Sequence, residues 1–397
     1  MRSSHDLAHR CGAWLLAGLL WSWPESAAPA QAAGATATPA PVAAAMADYR
    51  RNLAAYRSAR RQYEAAAAVY WNAIAAKRRL RNAKRHSGKE IAIEDYVLTQ
   101  PPVYSGPPRP VDPSAPTQPP PQRAYVPVVA DFLACAAKHF NFVPQLPASE
   151  IEYKRAYAAV AAAAGLTREQ AVRIYGFESG GSGRFDVQAG LEQPTPGAHA
   201  ISTALGYNQL LATNTVELLA ERGERIVAAL RFKAATLSAD AREALGRKIA
   251  LVKAMIAFSR SVPDGWSRHD RLAKTPRGLA LHALNLDLDV GPLLQAQKLE
   301  DSIVFARARG YAAALTAAEL EMMNLTGDGN GLDMVMLPAA WRERVPTANF
   351  FQPGGYARNP VASRHNVVAQ LLAATDAVMD RETALQGAQD MATLFGE

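Results

Sequence analysis

A proline-rich run at residues 100–122 constrains the architecture of this chain more than any other feature. Proline lacks a backbone N–H and fixes φ, so such a run excludes a helix or an inner strand and favours extended polyproline II. We therefore expect a semi-rigid linker over residues 100–124. This linker would separate a short amino-terminal part from a long carboxyl-terminal part.

Residues 125–397 carry the apolar spacing of helices, and no segment alternates with period two for long enough to build a large sheet. A region of roughly 270 residues can form one domain, and the predicted fold class is all-α. Start signals support several helices, among them the Thr-x-x-Gln capping box at Thr167. The predicted helices are 127–139, 148–164, 167–178, 208–222, 224–236, 239–260, 289–309, 316–323 and 361–379.

The amino-terminal part, residues 34–99, has an Ala/Pro-rich start and then a basic helix predicted over residues 46–86. Residues 48–89 hold twelve lysines and arginines against two acids, although the whole chain has a net charge of only +7. This pattern favours an anionic partner for residues 46–89, either cell-wall polymer or a lipid surface, and no nucleic acid is expected. A solvated helix with snorkelling arginines, packed on the main domain, explains the pattern equally well.

Residues 1–33 are predicted to be a signal peptide. A basic start precedes an apolar stretch at 11–23, and Ala30-Gln31-Ala32 fits the pattern that signal peptidase accepts. We expect cleavage near Ala32 and a periplasmic or secreted protein. An uncleaved anchor is the alternative, for which the apolar stretch is short.

Glu178 lies at the end of the predicted helix 167–178, where Gly180, Gly181 and Gly183 interrupt the helical pattern. A carboxyl group at the mouth of an apolar cleft has a raised pKa, as a general acid at neutral pH requires. A glutamate near a helix end is common, however, and does not identify a site by itself.

Three later segments place polar groups in loops or at helix starts. Gly206-Tyr207-Asn208-Gln209 combines a glycine with two side-chain amides, which suit sugar hydroxyl and N-acetyl groups. The other two segments are Met322-Met323-Asn324-Leu325-Thr326-Gly327 and Tyr356-Ala357-Arg358-Asn359-Pro360. Each segment alone is also typical of a loop with a capping polar group.

In this order, the four segments resemble the motifs of the soluble (Slt-type) lytic transglycosylases of the lysozyme-like superfamily. Glu178-Ser179 matches the catalytic Glu-Ser of that family. Residues 206–209 match its Gly-Leu-Met-Gln with both middle residues changed. Asn324 lies in a loose match to Ala-Tyr-Asn-Ala-Gly, and Tyr356 begins a match to Tyr-Val-x-Asn-Val in which both Val positions are changed.

The resemblance covers residues 148–380 and implies a lysozyme-like domain with a helical insertion between Gln209 and Asn324. It implies cleavage of the MurNAc–GlcNAc bond in peptidoglycan glycan strands, with 1,6-anhydro ends as products. Glu178 would then be the single catalytic acid and base. The substrate-binding residues that the resemblance implies are Ser179, Tyr207, Asn208, Gln209, Asn324 and Tyr356.

Two rival functions stay open. Most glycoside hydrolases need a second carboxylate, and Asp186, followed by Glu192, is the candidate in a lysozyme-type hydrolase. The other rival is a non-catalytic peptidoglycan-binding scaffold, which the changed second motif favours.

No cofactor and no metal are expected. The eight histidines show no metal-binding spacing. Residues 328–333 begin like a calcium loop, but Ala339 stands where the bidentate glutamate belongs, so a turn is the better interpretation. Cys135, the one cysteine after the signal segment, is expected to be a structural residue on a helix face.

Overall fold

The computed structural model describes residues 39–115, 124–181, 183–192 and 195–395. The predicted signal peptide, residues 1–33, lies outside these ranges. The described chain is helical and forms no strand beyond two isolated bridges, which join Leu205 to Gln188 and to Leu210. The all-α prediction is confirmed. Across the described residues, no helix combines the length and the apolar character needed to cross a membrane.

Contacts between residues divide the chain into two units. The amino-terminal unit comprises the described chain up to Tyr125 together with Arg344–Asn349, and the helical unit comprises Val126–Glu343 and Phe350–Glu397. The sequence places Arg344–Asn349 in the 125–397 domain, and the structure groups this segment with the amino-terminal unit instead.

Helix α1 spans Pro39–His86, so it begins seven residues before the predicted start at residue 46. Two of the earliest helical positions are Pro39 and Pro41, and the first turn tolerates proline because its N–H groups have no partner within a helix. Alanine-rich sequence without internal glycine supports the rest of its length. Apolar residues recur at helical spacing along α1 and form an apolar stripe of Leu53, Tyr56, Tyr63, Ala67, Tyr70, Trp71 and Ile74. This stripe is partly buried, with Tyr70 and Ile74 nearly inaccessible.

The chain after α1 packs back along this stripe. The Tyr104 ring meets the rings of Tyr56 and Tyr63 edge-on, at 6.2 and 5.6 Å between centroids. The Tyr70 hydroxyl donates to the carbonyl oxygen of Thr99 at 3.0 Å. The start of the predicted linker is therefore held on α1, because the Tyr104 ring packs on two rings of the apolar stripe. Residues 116–123 of that linker lie outside the described chain.

Several cations near the end of α1 are structural. Arg81 is fully buried, with its guanidinium 4.1 Å from the Tyr96 ring centroid and one nitrogen donating to the Asp95 carbonyl at 3.0 Å. Lys84 forms a 2.6 Å ion pair with Asp95. Arg78 donates to the Asn349 carbonyl at 2.9 Å, so Arg344–Asn349 is fastened to the same helix end.

The helical unit contains fifteen described helices. They are α2 (Val129–Phe140), α3 (Glu150–Ala163), α4 (Arg168–Ser179), α5 (Ala212–Ala235), α6 (Ala239–Ser259), α7 (Trp266–Ala273), α8 (Pro276–His282), α9 (Gly291–Ala308), α10 (Ala317–Thr326), α11 (Asp328–Val335), α12 (Ala339–Arg342), α13 (Pro353–Ala357), α14 (Pro360–Arg364), α15 (Val368–Thr383) and α16 (Gln386–Leu394).

The predicted helices 208–222 and 224–236 form one helix, α5. Gly223 in its middle faces Ile256 of α6, and a Cβ there would lie 2.7 Å from that side chain. The glycine thus lets two helices approach closely instead of breaking one. The sequence pattern missed α7, α8, α11, α12, α13 and α16, because helices this short show little periodicity.

The core of the helical unit lies mainly around α5, which packs against α6, α7, α8 and α9. A second layer brings α4 against α10, α15 and α16, while α10 also contacts α9 and α11. Helices α4 and α10, which meet at the site discussed below, each pack against at least three other helices.

Substituting Gly181 with alanine is expected to destabilise the protein more than the same change at Gly180. Both residues follow α4 with positive φ, 65° at Gly180 and 64° at Gly181, so alanine costs ~1–2 kcal/mol at either position. At Gly181 the added Cβ would also collide with the carbonyl oxygen of Glu382, whereas at Gly180 it meets nothing within 4 Å. Thermal unfolding of both variants measures the difference, and equal Tm values would contradict the close approach.

Candidate active site

Glu178 occupies the last turn of α4. The helix starts at a capping box in which the Thr167 hydroxyl accepts the Gln170 N–H at 3.1 Å and the Gln170 side chain accepts the Thr167 N–H at 2.9 Å. It ends at Gly180 in left-handed conformation. This places the half-buried carboxyl of Glu178 where a rigid helix turns into the irregular segment that precedes α5.

Helix α10 supplies two polar side chains to Glu178. Asn324 donates from Nδ2 to Glu178 Oε1 at 2.9 Å, and the same nitrogen lies 3.5 Å from Glu321 Oε2. Residues three apart share one face of a helix, so Glu321 and Asn324 point together at the end of α4. The carboxyl groups of Glu178 and Glu321 are also within hydrogen-bonding reach of each other.

Burial raises the pKa of Glu178 to about 7, while hydrogen bonds from Glu321 and Asn324 oppose the rise. Burial raises the pKa of Glu321 well above its ordinary value, and the neighbouring Glu178 raises it further. Two adjacent carboxyl groups cannot both ionise cheaply in a buried place. The pair therefore retains protons at pH values at which an exposed carboxyl group is ionised.

Ser179, the predicted partner of Glu178, is nearly inaccessible. Its hydroxyl donates to the Tyr175 carbonyl at 2.6 Å, one turn back in α4. The Tyr175 hydroxyl in turn donates to the Gly183 carbonyl at 2.8 Å. These bonds fasten the turn after Glu178 to the helix. Binding of a sugar by Ser179 stays a prediction.

Tyr207 lies at the centre of an aromatic cluster. Its ring meets those of Tyr153, Tyr157 and Tyr175 edge-on, with centroids 4.8–5.3 Å apart. The side chain is fully buried, and its hydroxyl is hydrogen-bonded to Glu150. A sugar could contact Tyr207 only after a change of conformation.

Asn208 belongs to the same buried region. Its side chain donates to the Gln295 carbonyl at 2.7 Å and to the Tyr157 hydroxyl at 3.1 Å, and its N–H donates to Gln295 Oε1 at 2.8 Å. Gly206 permits this arrangement, because a Cβ there would lie 2.7 Å from Gln295 Nε2.

Gln209 is half-buried and has φ of 42°, an uncommon value for a residue with a side chain. Its side-chain amide donates to the carbonyls of Gly206 at 2.8 Å and Val187 at 3.2 Å. Within residues 206–209, the carbonyl oxygen of the Gln209 side chain is the group that could still accept a hydrogen bond from a ligand.

Tyr356, on α13, is mostly buried, with its ring 6.0 Å from Phe351.

Of the predicted site residues, Glu178 and Asn324 are hydrogen-bonded to each other. Ser179, Tyr207 and Asn208 are instead buried and hydrogen-bonded within the protein. Sequence reasoning missed Glu321, although its position three residues before Asn324 was a usable signal. It also missed Gln295 and Glu150, which no motif marks.

The rival carboxylates lie in different surroundings. Asp186 accepts two hydrogen bonds from Arg184, at 3.0 and 2.9 Å. Glu192 is exposed and accepts the N–H of Gly190 at 2.9 Å.

Residues 328–333, expected to form a turn, lie instead in α11. No group of three or more His, Cys, Asp or Glu side chains suited to a metal ion occurs in the described ranges.

Comparisons of the chain with protein-family models, with curated proteins and with solved structures found no match.

Substituting Asn208 with alanine is expected to lower stability by ~1–3 kcal/mol, because its buried partners Gln295 and Tyr157 lose hydrogen bonds. Asn330→Ala serves as the control, since Asn330 is half-buried and makes a single 3.2 Å bond to Thr326. Chemical denaturation measures both. Unchanged stability of Asn208→Ala together with weaker glycan binding would contradict the structural role and favour direct substrate contact.

Proposed function

We propose that this protein is an exported peptidoglycan lytic transglycosylase that uses Glu178 as its acid and base. The observation that carries the proposal is the Glu178 carboxyl itself. It is half-buried at a helix end, has a pKa of about 7 and accepts a hydrogen bond from Asn324, the residue that the third motif marks. A general acid works best with a pKa near the operating pH.

The reaction needs only one carboxyl group. Protonated Glu178 gives its proton to the glycosidic oxygen, the bond from that oxygen to C1 of N-acetylmuramic acid breaks, and N-acetylglucosamine leaves with a free hydroxyl. The muramoyl C6 hydroxyl then bonds to C1 and returns its proton to Glu178. No water is consumed, and the 1,6-anhydro end forms as Glu178 regains the acid form.

The surroundings of Glu178 favour this chemistry over hydrolysis by two carboxylates. Glycosidases of that kind hold their carboxyl groups about 5–9.5 Å apart, across the sugar. Glu321 is in hydrogen-bonding reach of Glu178, which leaves no room for a sugar between them. Asp186 is engaged by Arg184, so it is the weaker candidate for a nucleophile.

Replacing Glu178 with glutamine is expected to slow glycan cleavage by about a hundredfold or more, because the amide cannot transfer the proton. Digestion of purified peptidoglycan, with mass analysis of the ends, measures both rate and product. Asp186→Asn is the matched control and should leave the rate of anhydro-end formation near that of the wild type. Reducing ends that disappear in Asp186→Asn would support the lysozyme-type hydrolase, and cleavage by Glu178→Gln at the wild-type rate would exclude the assignment.

The same assay has an expected pH profile. Cleavage requires protonated Glu178, whose pKa is about 7, so kcat/KM should decrease by about tenfold per pH unit above that value. A wild-type protein that binds glycan strands without cleaving them at any pH would favour the scaffold interpretation.

A second proposal concerns the basic helix. Arg50, Arg57 and Arg61 are exposed on α1, and their spacing places them on one face. Two cations at the other end of α1, Arg78 and Arg81, are instead hydrogen-bonded to the chain that packs on it. We infer that the three exposed arginines bind the carboxylates of the cell wall.

Substituting Arg50, Arg57 and Arg61 together with alanine should weaken binding to peptidoglycan at low salt by about tenfold, since each exposed charge pair contributes up to ~1 kcal/mol. The control removes three exposed cations of the helical unit, Arg231, Lys253 and Arg268, and should bind like the wild type. Co-sedimentation at low and high salt measures both. Equal losses in the two variants would contradict a specific surface, and a loss seen only with anionic vesicles would indicate a lipid surface instead.

A further inference from the structure

Glu321 has no role in the reaction as written above, yet its placement is costly. The side chain is fully buried, and its Oε1 makes no hydrogen bond within the part of the chain that the structure describes. An ionised carboxylate with an oxygen in this condition would be strongly destabilised. A neutral carboxylic acid is compatible with it, because only the neutral form has an O–H to donate.

Two of the helices that pack on α10 place charged groups near Glu321. Helix α4 contributes Glu178, and α9 contributes the buried Lys298. Lys298 lies 3.5 Å from Asp328 of α11. That aspartate also accepts a 2.6 Å hydrogen bond from Ser302.

Helix α15 also packs on α10, and two of its three acids are engaged elsewhere. Asp376 and Asp380 form ion pairs with Arg173 of α4, at 3.0 and 2.6 Å. Lys298 lowers the pKa of Glu321, but burial and Glu178 outweigh it, so that the pKa stays well above its ordinary value. The positive charge of Lys298 is thus shared with Asp328 and does not ionise Glu321.

We propose that Glu321 is a positioning residue that stays protonated and donates its O–H to the carboxylate that Glu178 becomes after giving up its proton. This inference rests on the proposed function, because it concerns the charge that develops in that reaction. Its general basis is that a donor already oriented toward a developing negative charge stabilises the transition state without reorganising.

No proton leaves Glu321 during the cycle. Glu178 loses its proton to the leaving oxygen and regains one from the C6 hydroxyl, while the O–H of Glu321 points at Glu178 throughout. Asn324 supplies a second donor to the same carboxylate. Together they give the intermediate carboxylate two hydrogen bonds in a place that water does not solvate well.

Two substitutions of Glu321 separate hydrogen bonding from packing. Glu321→Gln keeps a neutral side chain with an N–H donor, whereas Glu321→Met has similar length and no donor. We expect Glu321→Gln to retain kcat within about threefold of the wild type and Glu321→Met to lose about a hundredfold, as when a donor to a developing charge is removed. In Glu321→Met, the decrease of kcat/KM should begin at a higher pH than in the wild type, because one hydrogen bond that lowers the pKa of Glu178 is lost.

A second readout does not depend on turnover. Carboxyl NMR of the full chain with ¹³C-labelled glutamate follows the titration of Glu178, whose signal is assigned by its loss in Glu178→Gln. We expect the Glu178 pKa to rise in Glu321→Met and to stay near the wild-type value in Glu321→Gln.

Equal titration of Glu178 in all three proteins would overturn the inference, as would equal loss of kcat in both variants with unchanged pH profiles. If the wild type cleaves no glycan but the titrations differ as expected, the contact between the two carboxyl groups stands and the proposed enzymatic function fails.

Discussion

The site depends on the close placement of two carboxyl groups, the half-buried one of Glu178 from α4 and the fully buried one of Glu321 from α10. Such a pair is tolerable only if protons remain on it and if donors face the charge that does form. Asn324 is one donor, at 2.9 Å from Glu178. Protonated Glu321 is the other. The contact of α4 with α10 therefore sets both the position and the acidity of Glu178.

A second buried network of hydrogen bonds and rings surrounds Tyr207 and Asn208. Tyr207 is surrounded by three tyrosines and bonded to Glu150, and Asn208 is bonded to Gln295 of α9. Fully satisfied polar groups in a core specify one packing, because each lost bond leaves a costly orphan. The second motif thus connects the segment before α5 to α3 and α9. Its altered middle residues, Tyr207 and Asn208, are the ones that make these structural contacts.

The amino-terminal unit is stabilised differently. Its 48-residue helix α1 cannot bury its own apolar stripe, so the chain that follows the helix packs on that stripe. The Tyr104 ring of the proline-rich segment packs on Tyr56 and Tyr63 of the apolar stripe, and Arg81 is buried on Tyr96. Near the start of the helix, Arg50, Arg57 and Arg61 face solvent.

The sequence by itself determined the all-helical class and the start of α4 at Thr167. Helical periodicity and capping are local, so the sequence carries that information. The resemblance of four ordered segments to the motifs of a known family marked Glu178 and Asn324 as site candidates. Only the tertiary structure decided the rest. Glu321 becomes a partner of Glu178 because α10 packs against α4, 143 positions away in the sequence. Likewise Asn208 is buried because Gln295 reaches it from α9. Burial and proton sharing depend on which helices meet, and no local pattern in the sequence encodes that pairing.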